Sequence, residues 1–123
     1  MTTVTVPALA PWITANATTN RHWRHRHGLV KAWRETTALH ARAAARTPVR
    51  SPFTVDATIH KATGHVWDID GAVATLKACL DGCRDVGLIQ DDDHRHLVAL
   101  TIRAGAPDKT HPRVELTITE EEP

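Results

Sequence analysis

Cysteine is scarce in this sequence of 123 residues, with 2 in all, Cys79 and Cys83. They stand four apart in an apolar segment, which makes them small core residues rather than a disulfide. As metal ligands they would leave a tetrahedral zinc site half empty. No apolar run reaches the length of a membrane span, and the first residues lack the charged-then-apolar order of a secretory leader. A cytoplasmic protein with no membrane partner is expected. There is no glycine-rich phosphate loop, which argues against a nucleotide cofactor. No Ser/His/Asp arrangement stands out, although the chain has 9 histidines. Internal repeats and low-complexity stretches are also missing. The hydrophobic fraction of 41% and the charged fraction of 24% are ordinary for a globular protein. The length predicts one domain, 1–123, with 120–123 as a short acidic tail.

The formal net charge is only +1, which argues against a protein that coats DNA nonspecifically. That total hides a split. Up to Val66 the only acids are Glu35 and Asp56, set against Arg21, Arg24, Arg26, Lys31, Arg34, Arg42, Arg46, Arg50 and Lys61. From Trp67 onward acids outnumber bases. One half can hold a polyanion while the other holds cations that act on it.

The acidic half is organised around Val66–Asp93, VWDIDGAVATLKACLDGCRDVGLIQDDD. Asp68 and Asp70 open it, Lys77 interrupts an apolar segment, and Asp91, Asp92 and Asp93 close it. Carboxylates this crowded repel one another unless a cation sits among them. A hard divalent cation such as Mg²⁺ uses one or two carboxylates plus phosphate and water. In an extended segment Asp68 and Asp70, at i and i+2, share a face. Asp70 is placed to cap a helix whose apolar stripe is Ala72, Val73, Leu76, Cys79, Leu80 and Cys83. Gly82 and Gly87 read as its exit, after which Leu88 and Ile89 re-enter the core. That path is able to return Asp91 or Asp92 to Asp68 and Asp70. The plain alternative is a solvated acidic turn plus a capping aspartate.

The basic half contains Arg21-His22-Trp23-Arg24-His25-Arg26-His27 before Gly28. Arginine forks suit phosphate oxygens and an indole stacks on a base, so the segment reads as a nucleic-acid contact. A solvated basic loop and a transition-metal site are the alternatives. A helix is expected over Leu29–Thr47, with Val30, Trp33, Thr37, Leu39 or His40, and Ala44 buried and with Lys31, Arg34, Arg42 and Arg46 as a basic flank. Thr3–Ala8, Phe53–His60, Leu97–Arg103 and Val114–Thr119 read as strands. The order β-α-β-α-β-β predicts an α/β (α+β) fold, one mixed sheet of about four strands covered by two helices.

In these residues the chain resembles the RusA-like family of Holliday junction resolvases, its actinobacterial and phage branch especially. The family's pattern is an aspartate pair followed by asparagine, a helix with Lys-Ala-x-x-Asp, then Ala-Gly and a hydrophobic pair before Asp-Asp. Here stand Asp68-Ile69-Asp70, Lys77-Ala78-Cys79-Leu80-Asp81-Gly82, and Val86-Gly87-Leu88-Ile89-Gln90-Asp91-Asp92. Asn20-Arg21-His22-Trp23-Arg24, Lys31-Ala32-Trp33-Arg34 and Val114-Glu115-Leu116-Thr117-Ile118 are similar to its N-terminal segment, first helix and last strand. The resemblance implies a Mg²⁺-dependent homodimeric endodeoxyribonuclease that nicks four-way junction DNA symmetrically in recombination and repair. It implies Asp68, Asp70 and Asp92 as catalytic metal ligands and Lys77 as the catalytic lysine. On that basis Asn20, Arg21, Trp23, Arg24, Arg26, Lys31 and Arg34 are the candidate nucleic-acid contacts. From spacing, Asp81 pairs with Lys77 at i+4. Two departures stand out. Gly71 replaces the asparagine after the aspartate pair, and Lys77 follows Asp70 by seven residues, about two helical turns. A catalytically weak or inactive branched-DNA-binding protein on the same fold is the alternative reading.

Overall fold

The computed structural model describes residues 1–14, 20–44 and 47–122, with the side chains of residues 20–23 outside what is described. Four strands form one mixed sheet: β1 Thr2–Pro7, β2 Phe53–His60, β3 Leu97–Ala104 and β4 Arg113–Glu120, in the spatial order β1-β4-β2-β3. β4 pairs antiparallel with both β1 and β2, and β3 runs parallel to β2 at the edge. A parallel neighbour needs a crossover. That crossover carries a short 3₁₀ turn, Ile69–Ala72, and the helix α2, Val73–Asp85. The other helix, α1, spans Asn20–Ala44 between β1 and β2. The expected α+β architecture and element order are therefore the observed ones.

Side-chain alternation decides which face of the sheet is covered. Val4 and Val6, Phe53, Val55, Ala57 and Ile59, and Val114, Leu116 and Ile118 all point inward and join one cluster with Trp33, Ala41, Leu76, Cys79 and Cys83 of the helices. The opposite face carries Thr3, Thr5, Thr54, Asp56, Thr58, Glu115, Thr117 and Thr119, none of them buried. β3 departs from this pattern. It is an edge strand with most residues exposed, including Val98 and Leu100.

α1 begins earlier than the apolar periodicity suggests. The Arg/His segment, which lies before the helix expected over Leu29–Thr47, forms its first turns, since it holds no proline to break them. The stripe it buries is Trp33, Thr37 and Ala41, spaced by four, with the Thr37 hydroxyl donating to the Trp33 carbonyl at 2.8 Å. Leu39 and Ala44, expected inside, are exposed, and His40 is half-buried. α2 matches its expected stripe except at Val73, which is 49% exposed. Gly82 is not an exit residue. It lies in mid-helix where α2 crosses α1, and a Cβ there would stand 2.5 Å from the Arg34 carbonyl oxygen. The exit is Gly87, at φ +74°, with Leu88 N–H donating to the Cys83 carbonyl and Gly87 N–H to that of Arg84, both at 3.0 Å. This is a Schellman closure, which a residue with a Cβ enters only with strain.

Both cysteines are buried and free, as expected. Burial pushes each thiol up to about 12, so both stay protonated at neutral pH and serve as packing groups. No helix among the described residues is long and apolar enough to cross a membrane.

Candidate active site

The link from β2 to α2 has no regular structure before the 3₁₀ turn, so Asp68 and Asp70 do not lie on a strand. Asp68 is the residue that precedes the turn, in extended conformation, but its side chain caps nothing. Asp70, expected as the cap, lies inside the first turn. Both residues are exposed, and among the described residues neither carboxylate has a hydrogen-bond or ion-pair partner. They line one cleft of about 340 Å³ together with Trp12, Ile13, Thr14, Ile59, Lys61, Trp67 and Thr75.

The cleft's wall is held from several directions. Ile13 N–H donates to the buried Thr75 hydroxyl at 3.0 Å, tying the segment after β1 to α2. Trp33 Nε1 donates to the Pro11 carbonyl at 2.9 Å, and its ring packs on Trp12 at 5.0 Å between centroids. Lys61 follows the last residue of β2, and its carbonyl accepts the Asp108 N–H at 2.8 Å. Its ammonium lies 4.5 Å from the Trp67 ring centroid and 5.5 Å from that of Trp12. Burial against these indoles lowers the lysine's pKa. Lys61, Trp12 and Trp67 were not among the residues singled out in the sequence. The only signals in the sequence were a lysine directly after an alternating strand and a tryptophan next to Asp68; nothing there brings Trp12 to them.

Lys77 leads to a second set of acids. Its ammonium is 2.5 Å from Asp92 Oδ2 and 3.1 Å from Asp81 Oδ1. The pairing of Lys77 with Asp81 at i+4 is thus present, although the buried Asp81 Oδ1 sits off the line of a hydrogen bond. Arg84 approaches both Asp81 and Asp91, at 3.8 and 3.6 Å. The hydrogen bond from Lys77 to Asp92 raises the lysine's pKa against the opposing effect of burial. For Asp92, burial is the largest single influence and works to raise its pKa. The hydrogen bond and charge of Lys77, with help from Asp91, outweigh it and hold the carboxyl below its usual range. Asp93 is turned to Arg95, whose hydrogen bonds bring it down to about 2. The returning aspartate turn therefore reaches Lys77. The described residues contain no group of three His, Cys, Asp or Glu side chains placed to hold a metal ion, so Asp68, Asp70 and Asp92 do not stand as a ready-made set.

The basic candidates lie along α1 and differ in how free they are. Asn20, Arg21 and Trp23 fall in its first turn, and their side chains lie outside the described residues. Arg24 is exposed, and Arg26 donates to the Thr14 carbonyl beside the cleft. Lys31 makes a loose exposed pair with Glu35 at 3.9 Å. Arg34 is committed elsewhere, with a two-pronged grip on Asp85 (2.5 and 2.7 Å) that bolts α1 to α2. No protein-family model matches this chain, and no curated protein matches it either.

Proposed function

We propose that this chain is a Mg²⁺-dependent, structure-selective endodeoxyribonuclease of the RusA-like kind, acting in the cytoplasm on four-way DNA junctions in recombination and repair. One observation carries the reading: Asp68 and Asp70 are carboxylates without a partner among the described residues, on the wall of a cleft beside the basic helix. The acid-rich motifs in their order supply the rest.

Asp68 and Asp70 fit a hard divalent cation, because they offer oxygen donors with no competing partner among the described residues. Two carboxylates, with phosphate and water, suffice for Mg²⁺. Asp92 does not fit as it stands, since its carboxylate is occupied by Lys77. A bound Mg²⁺ supplies Lewis acidity toward the scissile phosphate and a water of lowered pKa. The chain's own residues do the remainder. Asp81 and Asp92 keep Lys77 charged, and that ammonium offsets negative charge developing on the phosphate. Arg24 and Lys31, with Asn20, Arg21, Trp23 and Arg26 nearby in sequence, track the backbone of a junction arm. Arginines in the first turns of α1 oppose the helix dipole, a cost that a polyanion relieves. A two-fold homodimer on a two-fold junction accounts for paired, symmetric nicks.

A second reading is a protein that holds branched DNA without cutting it. The Lys77–Asp92 pair favours it, as does the absence of a third acid with Asp68 and Asp70 among the described residues. A labelled synthetic four-way junction and a linear duplex of the same sequence separate the two. The nuclease gives symmetric nicks in the junction with Mg²⁺, none in EDTA and none in the duplex. Tight junction binding without nicks in Mg²⁺ or Mn²⁺ selects the binder, and equal affinity for junction and duplex removes both.

A further inference from the structure

The cleft that holds Asp68 and Asp70 contains more than cation binding requires. Two of its lining residues are indoles: Trp12 and Trp67, both only half-buried, with ring centroids 5.5 and 4.5 Å from the Lys61 ammonium. Each packs against the core and keeps part of its ring exposed at the cleft, whereas Trp33 is 1% exposed. Lys61 has no acid partner among the described residues, although two aspartates line the same cleft. Its charge rests on two π faces instead, a contact weaker than a charge-assisted hydrogen bond to phosphate. The lysine is thus a cation with a provisional partner, standing at a stacking surface.

We infer that this cleft accepts one unstacked nucleotide of a branched DNA, its base against the indole of Trp67 or Trp12 and its phosphate on Lys61. The inference rests on the reading of the chain as a branched-DNA protein. It adds a base-stacking site that the acidic motifs do not call for. As the base enters, the Lys61 ammonium leaves an indole face and takes the nucleotide's own phosphate, so a cation–π contact is exchanged for a stronger one while the base covers the ring. A cleft of about 340 Å³ falls at the small end of the range for small-molecule sites, suited to a single nucleotide. The continuous stack of the duplex is interrupted at a branch point, so a base there costs less to extrude than one inside an arm. Stacking on an indole tolerates any base, so the site selects for branching more than for sequence.

The test is photocrosslinking of the full chain in EDTA, so that nothing is cut. A four-way junction carries 5-iododeoxyuridine beside the branch point, and a linear duplex carries it in the same sequence. The chain has no tyrosine and its one phenylalanine, Phe53, is buried, so the adducts to be told apart by peptide mapping are those at tryptophan and those at the 9 histidines. The expected result is an adduct mapped to Trp67 or Trp12 with the junction and none with the duplex, its yield falling severalfold in Lys61→Met. Junction binding with adducts only at Trp23, or with none, overturns this inference alone. An undiminished yield in Lys61→Met, with the variant folded and bound, overturns the role of the lysine and with it the exchange. Failure to prefer the junction in a gel shift overturns this inference together with the reading beneath it. Trp67→Phe, which keeps a stacking ring, should hold junction affinity where Trp67→Ala loses it.

Discussion

Two pairs of carboxylates from one acidic stretch meet opposite fates. Asp68 and Asp70 are exposed and have no partner among the described residues, whereas Asp81 and Asp92, with side chains 14% and 13% exposed, share Lys77. The difference follows from burial. A carboxylate drawn out of water must find a cation or pay heavily in desolvation, and α2 places Lys77 one turn from Asp81 to supply it. A carboxylate left in water needs no partner and keeps its charge available for an incoming cation. One pair is therefore spoken for by the fold, and the other is open to a ligand. Resemblance alone would treat Asp68, Asp70 and Asp92 as equivalent ligands.

The comparison breaks most visibly at Asp70. If this carboxylate is open for a cation, Asp70→Asn removes that function without removing any contact made in the fold. Mg²⁺-dependent nicking of a junction should fall by about a thousandfold or more, the scale of several kcal/mol of charge stabilisation, with gel-shift affinity retained. Stability should change by less than about 0.5 kcal/mol, as for an exposed residue without partners.

The next largest effect is at the crossing that sets Lys77 and Asp81 in place. Gly82 stands against the backbone of α1, where a Cβ would also come within 2.8 Å of Thr37 Cβ. Gly82→Ala should lower stability by about 1–3 kcal/mol through overpacking, read in a denaturant titration. Gly71 makes the useful contrast. Nothing lies within 4 Å of a Cβ there and its φ is not positive, so Gly71→Asn should fold unchanged while putting an asparagine beside Asp70. A rise in nicking rate with this variant would give the missing asparagine a functional role.

These two glycines show what was legible in the sequence and what was not. Period-two alternation identified β2 and β4, because each has one face in the core and the other in water. The stripe of α2 was equally plain. Gly82 was misassigned because a glycine that permits close helix approach and one that ends a helix look alike until the facing helix is known. The start of α1 was hidden because its first turns have no apolar stripe. The cleft was half legible. Asp68 and Asp70 lie in one short motif, whereas Trp12, Lys61 and Trp67 meet only because β2 ends beside the segment that follows β1. The return of Asp92 to Lys77 depends on the length of the turn after α2, which periodicity does not report.

Lys77→Met turns the comparison into a pH experiment. In the wild type Asp92 has a lowered pKa, so its contribution to stability is present above the unfolded carboxyl value near 4 and is lost as pH falls through the folded value below it. The raised pKa of Lys77 acts at the other end, with stability lost as pH climbs past about 10.5. Without the lysine, the two strongest influences that lower the pKa of Asp92 are gone while burial, which raises it, remains, so its pKa moves up from the wild-type position. The variant should lose about 1–2 kcal/mol at neutral pH, discounted from a fully buried pair because Lys77 is 56% exposed. It should recover part of that loss on acidification toward pH 4, where the wild type declines. Parallel acid profiles for the two proteins would mean that Lys77 does not govern Asp92 in solution.

The smallest effect separates bound from free arginines on α1. Arg34 is held by Asp85, so Arg34→Ala mainly loosens the join between α1 and α2, at a cost below about 1 kcal/mol for so exposed a pair. Arg24 is exposed and has no partner among the described residues, so it is the one able to meet a phosphate. A phosphate contact releases counterions and contributes roughly one unit to the slope of log affinity against log salt. Arg24→Ala should reduce that slope for junction binding by about one, and Arg34→Ala should leave it unchanged. The reverse pattern would mean that the Arg34–Asp85 bridge opens on DNA, making the bolt between the helices part of the DNA-binding surface.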